Sequence, residues 1–107
     1  MGTINGALTE AVYYILLSLM QPMHGYGIMQ NVEELSGGRV KLAAGTLYGA
    51  IATLLEKGWI TALPGPSDNR NKKEYQITEN GKQAVQSELL RLQELLNNGK
   101  RITEGLK

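Results

Sequence analysis

Residues 45–60 read GTLYGAIATLLEKGWI, and residues 73–82 read KEYQITENGK. In the first stretch Leu47, Ile51, Leu54 and Leu55 recur at the spacing of one helix face. Gly58 ends that helix, because glycine takes the left-handed conformation of a C-terminal stop without a Cβ penalty. The chain then runs into a short strand, Trp59 to Leu63, and a loop with Pro64, Gly65 and Pro66. A polar, basic run and a second strand around Tyr75 to Ile77 follow. A helix, a hairpin and a basic tip in that order predict a winged helix-turn-helix, mostly α with a small β-wing. Such a fold sets one helix in the DNA major groove and a charged loop beside it.

Upstream, residues 8–20 predict a first helix. Leu8, Ala11, Val12, Ile15, Leu16 and Leu19 form one apolar face, and Tyr13, Leu17 and Met20 form a second. Thr9 or Asn5 is its expected cap and Pro22 its stop. A helix apolar on two sides packs against two things, here the domain and a second subunit. His24 to Leu35 predict a second helix, closed by Ser36, Gly37 and Gly38. The alternating residues Arg39 to Leu42 predict a third small strand paired to the wing. The third helix begins at Ala43, Ala44 or Gly45. Its outer side carries Ala44, Gly45, Thr46, Gly49, Ala52 and Thr53. Small groups allow a helix backbone to come close to DNA. They offer few hydrogen bonds to bases, but threonine methyls and alanines suit thymine methyls.

Downstream, Thr78 is an N-cap for a last helix that runs to about Asn98. Val85, Leu89, Leu92 and Leu96 follow the 4-3-4 spacing of a coiled-coil seam, broadened by Leu90 and Leu95. A helix so apolar at the end of so small a domain predicts a dimer interface, which also takes in Leu17. The expected organisation is a winged helix-turn-helix domain over 1–78, a dimerisation helix over 79–98 and a flexible tail over 99–107.

Composition narrows the function. The 107 residues suffice for one domain, on the small side for an isolated core. With no cysteine and one histidine, neither a disulfide framework, a metal site, a cofactor nor a catalytic pair is expected. The longest mostly apolar stretch, Ala11 to Met20, is too short to span a bilayer and has no basic leader or small-residue cleavage site. A cytoplasmic protein without membrane contact is expected. The net charge of +1 hides an asymmetry. Residues 1–38 hold three acids (Glu10, Glu33, Glu34) and no base. Residues 39–82 hold seven bases (Arg39, Lys41, Lys57, Arg70, Lys72, Lys73, Lys82) against four acids (Glu56, Asp68, Glu74, Glu79). Positive charge thus gathers in the helix-wing region, as an electrostatic footprint on DNA requires.

HGYGIMQNV at 24–32, together with the two stretches quoted above, resembles the PadR-like transcriptional regulators, over about Leu8 to Leu96. The combination of Gly25–Tyr26, Thr46–Leu47–Tyr48, Leu55–Glu56–Gly58 and Tyr75–Thr78–Gly81 carries the likeness. A single C-terminal helix resembles the smaller subgroup, which includes multidrug-sensing repressors. The resemblance implies a homodimeric repressor on a pseudo-palindromic operator, with the third helix in the major groove and the wing on the backbone or minor groove. Thr46 and Tyr48 fall on the recognition-helix motif, with Tyr48 expected to reach a phosphate by an outward hydroxyl. Arg70, Lys72 and Lys73 fall on the basic wing. Tyr26 falls where the family often uses the ring for packing. Multidrug-sensing members stack flat drugs on a tryptophan of the last helix, and counting from Thr78 and Gly81 places Leu92 there, with Leu89 one turn earlier.

The DNA-contacting residues expected are therefore Thr46, Tyr48, Gly49, Thr53, Arg70, Lys72 and Lys73. A small hydrophobic effector at the dimer centre would meet Tyr13, Tyr14, Leu89 and Leu92. The alternative is a winged-helix module that binds protein and not DNA, against which the basic wing tip speaks. An enzyme is not expected, since the chain carries no paired acids, nucleophile–base pair or phosphate loop.

Overall fold

A computed structural model describes residues 6–64 and 73–105. Helix α1 (Glu10–Ser18) starts at Thr9, whose hydroxyl accepts the Val12 N–H at 3.1 Å. It closes short of the expected Met20. The Leu19 N–H folds back onto the Ile15 and Leu16 carbonyls, three residues before Pro22. Strand β1 (Met23–His24) leads directly into α2 (Gly25–Leu35), and His24 caps that helix by accepting the Gly27 N–H on Nδ1 at 3.2 Å. The lone histidine is thus a structural cap. Helix α3 (Ala44–Lys57) is stopped by Gly58 at φ 75°, as expected. Strands β2 (Ile60–Ala62) and β3 (Glu74–Ile77) form the wing, and α4 (Glu79–Thr103) follows.

The sheet is antiparallel in the order β1-β3-β2, with Met23 opposite Tyr75 and Ile60 opposite Ile77. This corrects one expectation. The third strand is Met23–His24 and not Arg39–Leu42. The latter stretch is irregular: the Val40 N–H donates to Ser36 Oγ at 2.9 Å, and Val40 and Leu42 pack onto the core. An alternating apolar pattern here serves a loop lying on the core, because the edge of β3 is already paired.

The core gathers Ile15, Leu16 and Leu19 of α1, Ile28 and Val32 of α2, and Leu47, Ile51 and Leu54 of α3. Tyr75 and Ile77 close it from the sheet. Val85 belongs to this core at 2% exposure. It therefore drops out of the seam expected on the last helix, and the exposed stripe begins at Leu89. Leu17 is half-buried against the same core.

Helix α4 also runs further than expected, to Thr103. Asn97, Asn98 and Gly99 do not stop it. The left-handed glycine lies at Gly105 (φ 100°), and the Thr103 hydroxyl donates back to the Gly99 carbonyl at 2.7 Å. The helix has 25 residues, about 37 Å at the usual rise. Only its first half touches the domain, since its last buried residue is Glu88. The longest dimension is accordingly 58 Å against 32 and 21 Å for the others.

Candidate nucleic-acid interface

Burying Leu47, Ile51 and Leu54 turns the opposite side of α3 outward. Ala44, Gly45, Thr46, Gly49, Ala52 and Thr53 are all exposed there, as expected. The two glycines are informative. A Cβ at Gly45 or Gly49 would meet nothing within 4 Å, so packing among the described residues does not require either. A glycine inside a helix costs up to about 1 kcal/mol relative to alanine.

The start of α3 adds a feature the motif reading missed. Its N-cap is Ala43, which has no side-chain oxygen to cap the first turn. The opening N–H groups of a helix have no partner within it, and the positive end of the helix dipole favours an anion such as a phosphate. Alanine where serine, threonine or aspartate is usual was the available signal.

Tyr48 is partly buried, as expected, and packs against the core. Its ring turns inward against the first turn of α2. A Cβ on Gly25 would collide with its hydroxyl oxygen and lie 2.9 Å from Cζ. The Gly25–Tyr26 and Leu47–Tyr48 motifs therefore meet in space: Gly25 is small so that Tyr48 can seat α3 on α2. Tyr26, expected to pack, is instead 64% exposed, and its hydroxyl accepts from Gln30 Nε2 at 3.3 Å.

The wing lies beside α3. The Leu63 N–H donates to the Glu74 carbonyl at 2.9 Å, extending the hairpin one step beyond β2. Lys73, at the foot of β3, is exposed. Arg70 and Lys72 lie outside the described residues.

One junction joins the end of α3 to α4. Thr78 donates its hydroxyl to the Gly58 carbonyl at 2.6 Å and its N–H to the Trp59 carbonyl at 2.9 Å. The same hydroxyl accepts the Gly81 N–H at 3.1 Å as the N-cap of α4. Gly81 has no room for a side chain: a Cβ would strike the Trp59 carbonyl oxygen and come within 2.7 Å of Ile77 Cγ1.

The residues expected at a dimer centre divide between two helices. Tyr13 and Tyr14 are half-buried on α1, with ring centroids 6.0 Å apart. Leu89, Leu92 and Leu96 are 44%, 39% and 52% exposed on α4, and a space over them needs a second surface to close it. Glu88, one position before this stripe, is buried. Its carboxylate takes Arg91 in a bidentate pair at 2.9 and 2.6 Å, and the Leu8 N–H at 3.4 Å. The Arg91 hydrogen bonds, then the Leu8 N–H, hold its pKa below the ordinary value, against burial. On the surface, Arg39 pairs with Glu10 at 2.6 Å, tying the α2–α3 loop to α1.

The transcriptional regulator PadR-like family matches residues 14–87. The chain belongs to the PadR-like family of transcriptional regulators. No curated protein sequence matches it. A PadR-family regulator from Eggerthella lenta superposes with a TM-score of 0.69 at 20% identity, covering 87% of this chain and 80% of that one. A transcriptional regulator from Clostridium thermocellum gives 0.61 at 23% identity, over 91% and 92%. Bacillus subtilis PadR, solved in complex with operator DNA, gives 0.59 at 24% identity, over 74% of this chain and 45% of that one. At these identities the likeness is one of fold. The PadR-like chain is a transcriptional regulator and not an enzyme, built on the winged-helix DNA-binding fold expected from its sequence. Among the described residues no helix is long and apolar enough to cross a membrane.

Proposed function

We propose that this PadR-like chain is a homodimeric, cytoplasmic repressor. It reads a pseudo-palindromic operator with α3 and grips the backbone with the wing. The observation that carries the reading is the exposed α3 face with glycines at 45 and 49 that no packing among the described residues explains. Thr46, Gly49 and Thr53 line the approach. The uncapped first turn meets a phosphate, and Arg70, Lys72 and Lys73 neutralise others. Tyr48 supports the interface by setting the angle of α3.

Dimerisation is supported by the part of α4 that stands clear of the domain, with Leu89, Leu92 and Leu96 on one stripe. A small hydrophobic effector at the dimer centre, between Tyr13 and Tyr14 of α1 and Leu89 and Leu92 of α4, would act by respacing the two α3 helices. Leucine at 92 offers no stacking platform for flat aromatic cations.

Replacing Lys72 and Lys73 together by alanine tests the DNA reading. Binding to all duplexes should weaken alike, and the slope of log affinity against log salt should fall by about 0.9 per lost phosphate contact. An unchanged slope would remove the wing from the interface.

A further inference from the structure

A cavity of about 350 Å³ opens between the residues before α1 and the C-terminal half of α3. Leu8, Val12, Ala50 and Leu54 supply apolar walls, Trp59 an aromatic one, and Lys57 the single charge among its lining residues. Lys57 Nζ lies 5.0 Å from the centroid of the Trp59 ring. We propose that this cavity binds a small apolar carboxylate, its ring or alkyl body against Leu8, Val12 and Trp59 and its carboxylate on the Lys57 ammonium. This site is separate from the dimer centre and uses the one tryptophan of the chain.

Three features support the choice of ligand. The volume falls at the lower end of the range for small-molecule sites, which are mostly apolar with a few fixed polar groups. The lining has no acid to oppose an anion. The negative end of α3, which would repel one, is blunted because the Leu54 and Leu55 carbonyls accept the Trp59 and Gly58 N–H groups, each at 3.0 Å. A bound carboxylate therefore faces the ammonium and not bare carbonyls. Thr53 offers no donor, since its hydroxyl is already given to the Gly49 carbonyl at 3.2 Å.

Trp59 emission reports occupancy directly. Titration of the whole chain with 4-tert-butylbenzoate should give a saturable change with a dissociation constant on the order of 1 mM or below. The uncharged amide, 4-tert-butylbenzamide, should bind about tenfold more weakly, the ratio for 1.4 kcal/mol. Lys57→Gln should lower the acid to the level of the amide. Lys57 is exposed, so this variant keeps the fold. It also lines this cavity and neither of the two others described that share Trp59, which assigns the signal to one place. Equal binding of acid and amide, unchanged binding by Lys57→Gln, or no saturable signal with the acid would each overturn the proposal. None of these outcomes depends on DNA binding.

Discussion

Gly49→Ala should make the protein more stable and a worse DNA binder. The new Cβ meets nothing within 4 Å, so no overpacking offsets the gain. Position 49 lies well inside the 14 residues of α3, where alanine is favoured over glycine by about 0.8–1.0 kcal/mol. For a domain of this size that is a rise of about 4 °C in melting temperature. The melts must be run at one protein concentration, because the midpoint of a protein that dimerises depends on concentration. Affinity should move the other way. If α3 lies against DNA with its backbone close at Gly49, a methyl group must push the helix outward and loosen its neighbours' contacts. A loss of tenfold or more, about 1.4 kcal/mol, is expected on a duplex selected from a random pool by the unmodified chain. A Gly49→Ala protein that melts higher and binds the duplex with full affinity would refute the small-face argument.

Other perturbations test the remaining contacts. Gly25→Ala should destabilise by about 1–3 kcal/mol as Tyr48 is displaced, and adding Tyr48→Phe should recover part of the loss, so additive effects would mean that the two do not touch. Leu92→Glu should turn a dimer into a folded monomer by light scattering, because the side chain is already 39% exposed in the single chain and the charges clash only in a seam. The Glu88 carboxylate is held below its ordinary 4.5 by Arg91 first and then by the Leu8 N–H. The fold therefore favours the ionised form, and the stabilisation is present above about pH 4.5 and lost as pH falls through the lowered value. Denaturant melts between about pH 7 and pH 3 should show a shallower acid limb for Glu88→Gln, and identical limbs would exclude this pair as a source of acid sensitivity.

Local chemistry made the frame of this fold legible. Gly58, Thr78 and the apolar spacing of α3 each act within a few residues, and each appears where its residue type demands. What could not be read depended on partners distant in sequence. The alternation of Arg39 to Leu42 suits a strand, but β1 had already taken the free edge of β3. Val85 fits a heptad seam as well as a core, and only the packing of α4 on the domain decides for the core. Tyr48 and Gly25 are 23 positions apart, so their contact has no signature in local periodicity. Asn98 and Gly99 resemble a stop, yet a helix passes through glycine at modest cost when its next turn remains bonded, as it does through Thr103.

The Thr78 junction explains how a small change near the domain can matter at DNA. It clamps the start of α4 to the residues that end α3 through two hydrogen bonds of 2.6 and 2.9 Å, with Gly81 too close to the Trp59 carbonyl to admit a side chain. In a dimer joined along α4, the direction of that helix sets where the second α3 falls. A tilt of about 10° over a helix about 37 Å long shifts its far end by about 6 Å. Adjacent major grooves on one face repeat at about 34 Å, and phosphate hydrogen bonds tolerate far less than that shift. No large rearrangement is needed to switch such a dimer. A tilt of about 10° suffices if it is taken up where α3, Trp59 and α4 meet. Trp59 contributes its carbonyl to the junction and its ring to the cavity beside Lys57. If the proposed cavity is occupied in a dimer joined along α4, its occupancy and the spacing of the two α3 helices would bear on the same residue.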